Sequence, residues 1–389
     1  EPLVMDMKPW ERSLFYAQKA RFFMCKADYS SACVFAVMSF ELSKKVKKDL
    51  PKAMALLLDM QAAHSIGEIG RCQLDFSRLS NIVQNPDSLL HYMKLMVKSW
   101  ISFDSNDKKT GRKFLEEALA IGKTRRYVPV GSDIPEVTAF LCAKALEYGI
   151  ETEYVQWIIK AKELVPQGPA IHFEAWPRPL HIKTLGRFEI YRNGNIISFS
   201  RKAQQKPIDM LKVVIALGGR AVSKDLISDE LWPDMDGDKA NQSFTVTLHR
   251  LRKLLGHPKL LVLSGGQITL QQELVWVDAF AFRYMTTFKS GPDDVGTEKW
   301  KRLMGQILKV YKGPFLDVEE WSPAIIAQRD RLRQSFLSIV TTGVVFFGDA
   351  CDFKQAKTLC EASLEREPLS ESFHKRLMAF NRMSGYPTK

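Results

Sequence analysis

The stretch that decides the fold is Ala240-Asn-Gln-Ser-Phe-Thr-Val-Thr-Leu-His-Arg-Leu-Arg-Lys-Leu-Leu-Gly256. At 3.6 residues per turn its large apolar side chains fall in one stripe, formed by Phe244, Leu248, Leu251 and Leu255. The opposite side is mostly polar and contains Gln242, Val246, His249, Arg250 and Lys253. The pattern predicts an amphipathic helix that buries one face and exposes the other.

Positive charge is concentrated around this helix. From Lys239 to Lys259 the sequence has five Lys or Arg and no Asp or Glu. The whole chain has a formal net charge of +12, and its highest density lies in residues 177–278. A charge of this sign favours a polyanionic partner. Taken alone, the helix fits either the phosphate-lined major groove of DNA or an ordinary solvated surface.

Length and composition exclude several classes of protein. A chain of 389 residues with 46% hydrophobic residues predicts about two to four globular domains. The six cysteines are scattered without a Cys-x-x-Cys pair, which favours a reducing cytoplasm and argues against a zinc site. The longest uncharged run, residues 334–348, is shorter than the roughly 20 apolar residues of a membrane span. We therefore expect a cytoplasmic protein with no membrane partner.

The first part of the chain, residues 1–165, has helical periodicity throughout. Short turns separate the segments, which predicts antiparallel helical hairpins stacked as a degenerate tetratricopeptide-like solenoid. Eight helices are expected: Trp10–Lys26, Tyr29–Val46, Leu50–Ser65, Ile69–Val83, Asp87–Phe103, Lys109–Thr124, Ile134–Tyr148 and one near Glu153–Leu164. Four prolines between residues 166 and 179 then indicate a linker.

Residues 180–278 change to a different pattern. Alternating runs flank Asn193-Gly194, which predicts a hairpin, and a second hairpin is expected around Gly265-Gly266. Three helices lie between the two hairpins, at Gln204–Leu217, Ser223–Leu231 and Lys239–Leu255. A small sheet, three helices and a terminal hairpin together predict a winged helix-turn-helix domain.

The same residues carry a family resemblance. Phe244-Thr-Val-Thr-Leu-His-Arg-Leu-Arg-Lys253, preceded by Leu231-Trp232, resembles the recognition-helix region of OmpR-type winged helices. Tyr311-Lys-Gly-Pro-Phe-Leu316 and Glu367-Pro368-Leu369 resemble motifs of the bacterial transcriptional activator domain in the antibiotic-regulatory activator family. Together the two resemblances cover residues 180–389. Residues 145–155 are similar to the end of the helical region in large MalT-like regulators.

The resemblance implies a fold class and a domain order. The fold class is mainly α with a small β component: tetratricopeptide-like helical repeats, a winged helix-turn-helix domain and a second tetratricopeptide-like helical domain. We expect a helical-repeat domain over residues 1–165, a linker over 166–179, an OmpR-like winged helix over 180–278 and a bacterial transcriptional activator domain over 279–389.

The resemblance also implies a DNA-binding surface. With the recognition helix in the major groove, the side chains expected to read bases are Arg250, Gln242, Val246 and His249. Those expected to contact phosphate are Lys253, Arg252, Lys239, Thr245, Lys202 and Lys206, with Arg201 beside them. The tip of the wing, Ser264-Gly-Gly-Gln267, has no cation. Minor-groove contact by the wing is therefore not expected.

These features predict a transcription regulator of double-stranded DNA, and the resemblance favours an activator. Its expected partners are DNA, RNA polymerase, an unidentified ligand or protein on the N-terminal repeats, and a second copy in a homodimer. We expect no cofactor, no metal and no enzymatic activity, because no catalytic constellation is visible. Gly122-Lys123-Thr124 ends like a phosphate-binding loop but lies within a predicted helix. The alternative is a helical-repeat scaffold whose winged helix docks protein rather than DNA.

Overall fold

The computed structural model describes residues 6–129, 133–198, 204–287, 297–319 and 321–383, with the side chains of residues 297–299 and 383 left out. The chain divides into two compact units. The first contains residues 1–170 and 175–177, and the second contains residues 171–174 and 178–389.

The first unit is built from α-helices. In chain order they are α1 (Pro9–Cys25), α2 (Tyr29–Ser43), α3 (Asp49–Ser65), α4 (Ile69–Ile82), α5 (Leu89–Asp104), α6 (Lys108–Arg125), α7 (Pro135–Tyr148) and α8 (Thr152–Ala161). Asp28, Ser88 and Asp107 accept hydrogen bonds from backbone N–H groups in the first turns of α2, α5 and α6. The eight helices expected from the periodicity are all present, with ends shifted by a few residues.

The helices pack as hairpins in the run α1 to α4 and again in the pairs α5–α6 and α7–α8, and alternate helices α1, α3, α5 and α7 contact one another in turn. The α5–α6 hairpin shows how the sequence permits this close packing. A Cβ on Gly111 would lie 2.9 Å from the Phe103 ring, and Ser99 donates a hydrogen bond to Gly111 O at 2.9 Å. Stacked helical repeats are therefore the architecture of the unit.

The second unit begins with a winged helix. Its elements are β1 (Leu180–Lys183), β2 (Glu189–Arg192), β3 (Asn195–Ile196), α9 (Gln205–Ala216), β4 (Val222–Ser223), α10 (Lys224–Leu231), α11 (Gly237–Leu255), β5 (Leu261–Ser264), β6 (Gln267–Leu270) and β7 (Val275–Val277). Asn193 and Gly194 both have positive φ, 51° and 83°, as the tight turn between β2 and β3 requires. The Ser223 hydroxyl caps α10 by accepting a hydrogen bond from Asp225 N at 3.2 Å.

Two sheets frame the helices. The first has the strand order β3-β2-β1-β7, and the second has the order β4-β6-β5. The strand β7 pairs parallel to β1, with Ile182 opposite Val277. The local sequence patterns predict both hairpins but neither of the two long-range pairings, β1 with β7 and β4 with β6. The wing is consequently a three-stranded sheet rather than an isolated hairpin.

Five further helices complete the described part of the second unit: α12 (Asp278–Thr287), α13 (Thr297–Val310), α14 (Pro323–Asp349), α15 (Phe353–Leu364) and α16 (Glu371–Met383). They share one apolar core with the winged helix. Lys212 of α9 forms an ion pair with Glu319, and Glu230 of α10 accepts hydrogen bonds from Ser322 Oγ and from Ala324 N, the latter at 3.2 Å. The N-terminus of α14 is thus anchored on the winged helix.

Tyr311 and Glu367, one from each of the two motifs that resemble an activator domain, meet in this core. Tyr311 stacks on Phe336 at a centroid distance of 4.0 Å, and its hydroxyl donates to the buried Glu367 carboxylate at 2.7 Å. Arg333 also donates to Glu367, at 2.8 Å. Burial raises the pKa of the Tyr311 hydroxyl, and the neighbouring Glu367 raises it further. The expected fold class is therefore confirmed: mainly α, with helical repeats, a winged helix and a second set of helices.

Candidate nucleic-acid interface

The helix α11 has the two faces that the sequence predicts. Phe244, Leu248, Leu251 and Leu255 are at most 3% exposed and pack into the core of the winged helix. The helix ends where Gly256 adopts a positive φ of 74°, a conformation that suits glycine. Burial of this stripe fixes which side of the helix faces solvent.

The four side chains expected to read bases all lie on the exposed side of α11. Gln242, His249 and Arg250 are exposed, and Val246 is 44% exposed. None of these four side chains hydrogen-bonds or ion-pairs with another residue that the structure describes. Their donors, acceptors and methyl groups are therefore available to a partner.

Lys239 and Lys253 are also exposed on α11, without an ion pair among the described residues. The Thr245 hydroxyl donates to Asn241 O one turn earlier, at 3.0 Å, and its side chain is exposed. These three residues therefore lie on the surface where phosphate contacts are expected.

Arg252 is placed differently from its neighbours. Its Nε–H and Nη2–H both donate to Leu261 O, at 3.0 and 2.7 Å. This carbonyl belongs to the first residue of β5, so the guanidinium ties α11 to the wing. The guanidinium N–H groups that do not bond to Leu261 O have no other partner among the described residues and are still free to contact a phosphate, so this contact of Arg252 stays a prediction.

The two lysines expected near the start of α9 differ as well. Lys206 is exposed, and its ammonium donates to Leu231 O at the end of α10, at 3.0 Å. Lys202 lies outside the described residues, as does Arg201. The Lys206 bond satisfies a carbonyl at a helix end, which gives this lysine a structural role alongside the expected one.

Negative charge limits the cationic face on one side. Asp234, Asp236 and Asp238 are exposed around the first turn of α11, where acidic side chains complement the helix dipole. The exposed cations Arg250 and Lys253 lie at the other end of the helix, and Lys259 follows it. The positive potential of the face is therefore strongest toward the C-terminal half of α11.

The wing has no cation of its own, but the fold brings one to its base. Leu270 N donates to Gly219 O at 2.8 Å, and Ala221 N donates to Thr269 Oγ1 at 3.0 Å. Arg220 lies between these two anchored residues and is exposed. No local sequence pattern indicates this position for Arg220, because it depends on the pairing of β4 with a strand about 45 residues later.

The tip of the wing is uncharged, and the strand that leads into it exposes apolar side chains. Gly265 and Gly266 make the turn with positive φ, and Val262 and Leu263 of β5 are 39% and 42% exposed. Among the described residues, nothing covers Val262 and Leu263 as fully as core residues are covered. The wing thus presents a different chemistry from that of α11.

The sequence that resembles a phosphate-binding loop has a packing role. Gly122 lies inside α6, where a Cβ would be 2.3 Å from Tyr154 Oη and 2.8 Å from the Tyr92 ring. In the parts of the chain that the structure covers, no group of three or more His, Cys, Asp or Glu is placed to hold a metal ion. No helix within those same parts is long and apolar enough to cross a membrane.

Comparisons with known proteins include a distant structural likeness. No protein-family model matches the chain, and no curated protein matches it. A solved structure, Mycobacterium tuberculosis EmbR in complex with a low affinity phosphopeptide, is similar at 18% sequence identity and a TM-score of 0.43. The likeness covers 54% of this chain and 56% of that one, so the chain spans about half the length of EmbR.

Proposed function

We propose that this protein is a sequence-specific regulator of transcription that binds double-stranded DNA with α11 in the major groove. The observation that carries the proposal is the exposed side of α11, where base-reading and cationic side chains are held free of internal partners. A helix of this kind fits the major groove, and its cations can neutralise phosphates on either side. The resemblance of residues 180–389 to antibiotic-regulatory activators supports the same function.

Within this proposal the residues of α11 have separate tasks. Arg250 pairs with guanine, Gln242 with adenine, Val246 contacts a thymine methyl, and His249 contacts a base edge or a phosphate. Lys253, Lys239 and Thr245 contact the DNA backbone and set the register without reading sequence.

The remaining contacts to the DNA backbone come from residues of the winged helix outside α11. They are assigned to Lys206, to Lys202 and to the N–H groups of Arg252 that do not bond Leu261 O. Arg220, at the base of the wing, is added to this set because the pairing of β4 with β6 brings this exposed cation beside the uncharged hairpin.

The helical units supply regulation. We assign the N-terminal repeats to the binding of a ligand or partner protein, and the C-terminal helices to contact with RNA polymerase and to dimerisation. Activation is the sign of regulation that the family resemblance favours. Regulation would then be a shift between arrangements in which the α11 face is free or covered.

Two substitutions on neighbouring turns of α11 test the DNA-binding mode. Preferred duplexes are first selected from a random pool with the wild-type protein, and affinities are then measured across salt concentrations. Arg250→Ala should cost about 1–3 kcal/mol on the selected duplex and relax preference at one position. Lys253→Ala should weaken all duplexes alike and reduce the salt slope by about one.

The matched control is Lys354→Ala, which removes an exposed cation from α15. It should leave affinity, sequence preference and salt slope unchanged. If Arg250→Ala and Lys253→Ala behaved like this control, α11 would not be the DNA-contacting helix.

A second candidate function is favoured by the wing. Val262 and Leu263 expose apolar surface next to a turn without cations, which suits a protein partner better than DNA. In that case the winged helix would dock protein, and selection from the duplex pool would return no preferred sequence. A Val262→Ser and Leu263→Ser double variant would then lose the partner, whereas under the first proposal it keeps its selected duplex.

A further inference from the structure

A deep groove in the second unit lies outside the α11 surface. Its volume is about 1580 Å³, and its walls come from the β1–β2 turn, the segment after α13, the first turns of α14 and the loop between α15 and α16. Ligand pockets usually measure about 300–1,000 Å³. This groove is therefore large enough for a small organic molecule.

Backbone contacts join two of the walls. Gly186 N donates to Pro314 O at 3.0 Å, and Leu316 N donates to Thr184 O at 2.9 Å. A Cβ on Gly186 would lie only 3.4 Å from Lys312 Cβ. The β1–β2 turn and the segment after α13 thus form one continuous surface, and Lys183, Arg187 and Lys312 all belong to it.

These three cations lack acidic partners. None of Lys183, Arg187 and Lys312 has a carboxylate within 4.0 Å among the described residues. Lys183 lies over the Tyr191 ring, 4.9 Å from its centroid, and Lys312 makes a long contact of 3.4 Å with Leu308 O. Three cations without an ion pair on one wall of a groove favour an anionic ligand.

Other cations surround Lys312. Burial lowers the pKa of the Lys312 ammonium, and repulsion from Arg366, Lys309 and Lys183 lowers it further, while Glu174 opposes the change. Lys309 is paired with Glu174 at 3.3 Å, and Arg366 donates to the carbonyls of Leu308 and Tyr311. These two cations have partners already, whereas Lys312 is held among them without a carboxylate of its own.

Backbone donors are available at the same place. The N–H groups of Lys312 and Gly313 donate no hydrogen bond to any residue that the structure describes. Both residues line the groove. Free backbone N–H groups beside cationic side chains form the concave anion sites seen in many phosphate-binding proteins.

Most acidic residues of the lining are already satisfied. Glu189 accepts from the Tyr191 hydroxyl at 2.7 Å, Glu367 from Tyr311 and Arg333, and Glu319 from Lys212. The exposed carboxylates of Asp317 and Asp330 have no ion pair with a residue that the structure describes. Asp317 lies in the same segment as Lys312, and Asp330 lies on α14. On the wall of Lys183, Arg187 and Lys312, these three cations lie beside two carboxylates without an ion pair among the described residues, Glu189 and Asp317. An excess of one positive charge remains there.

We propose that this groove binds a small phosphorylated molecule, whose phosphate lies between Lys183, Arg187 and Lys312 and accepts from the Gly313 N–H. The site is separate from the α11 surface and does not depend on DNA binding. Leu185, Phe188 and Leu316 line the same groove and provide apolar contact for the body of the ligand. A ligand bound here contacts both the winged helix and the C-terminal helices, so it is an effector of the regulator.

The test uses the full chain and tripolyphosphate as the probe, with binding followed by calorimetry. Wild-type protein should bind it saturably, and a Lys183→Gln and Lys312→Gln double variant should bind at least tenfold more weakly. Lys354→Ala is the control for loss of charge, and a double variant with Arg250→Ala and Lys253→Ala controls for binding on the α11 face. Both controls should keep wild-type affinity.

Three results would overturn the proposal: no saturable binding at millimolar probe, equal weakening by Lys354→Ala, or loss of binding only in the α11 variant. Displacement of the probe by duplex DNA would likewise assign the groove to DNA. Lys312→Gln alone, which leaves the Lys183–Tyr191 contact intact, provides a second variant if the double variant unfolds. Because the α11 variant is measured in parallel, failure here leaves the DNA-binding proposal unaffected.

Discussion

The bond between Arg252 and the wing gives the sharpest prediction. Replacing Arg252 with Met retains most of the side-chain volume and removes both hydrogen bonds to Leu261 O, which measure 3.0 and 2.7 Å. This carbonyl belongs to β5, an edge strand whose only sheet neighbour is β6. We expect the wing to open more often, because it loses one of its few attachments to α11.

The magnitude follows from the charge on the donor. A hydrogen bond to a charged group contributes about 1.5–3 kcal/mol, and here two N–H groups share one carbonyl that water can reach once freed. If the free energy of local opening falls by about 1–3 kcal/mol, the amide protons should exchange roughly 5- to 150-fold faster. The effect should be confined to the amides of β5 and β6, with α9 unchanged.

Hydrogen exchange measured by mass spectrometry checks this expectation. Arg252→Lys retains the charge without the two-pronged donor and should show intermediate protection, and Lys253→Ala should show wild-type protection. If exchange in the wing were the same in wild type and Arg252→Met, the bond would contribute nothing. A salt slope reduced by about one, with unchanged exchange, would instead assign Arg252 to phosphate contact alone.

Two further predictions concern stability. Tyr311→Phe should lower the free energy of unfolding by about 1–3 kcal/mol, because it removes one hydrogen-bond donor from the buried Glu367 carboxylate. Chemical denaturation measures this change. A decrease of less than about 0.5 kcal/mol would refute the prediction. Burial, followed by repulsion from Arg178 and Arg283, lowers the pKa of His172 to about 4 from its ordinary 6.5. Folding favours the neutral imidazole, so the contribution of His172 to the free energy of unfolding is fully present above about pH 6.5. This contribution is lost as the pH falls toward 4, by about 3 kcal/mol in total. His172→Phe keeps the ring beside Tyr284 but should lose this part of the pH dependence, and identical profiles for the two proteins would contradict the assignment.

Local patterns predicted most of the elements because each depends on neighbouring residues. The stripe from Phe244 to Leu255 predicted which face of α11 is buried, and Asn193-Gly194 predicted the turn between β2 and β3. The end of α11 at Gly256 follows from the same kind of signal. Exposure of the base-reading candidates was also predictable, since it is the geometric complement of the buried stripe.

Other features of the site arise from contacts between distant residues. Arg252 looked like a phosphate ligand in the sequence, but its bonds to Leu261 depend on where β5 passes. Arg220 looked like a loop residue until the pairing of β4 with β6 brought it to the base of the wing. The same limit applies to Lys183 and Lys312, which are 129 residues apart in the sequence and face one groove.

The sequence by itself therefore determined the amphipathic recognition helix, the hairpins, the order of helical and winged parts and the positive charge. Periodicity and turn chemistry act within a few residues and leave a readable pattern. Only the tertiary structure decided which cations are free and which hold the wing, how β7 closes on β1, and that an unpaired cationic wall lines a groove. These depend on loop closure and on competition among many possible partners, and a side chain's partner is chosen only when the core has packed.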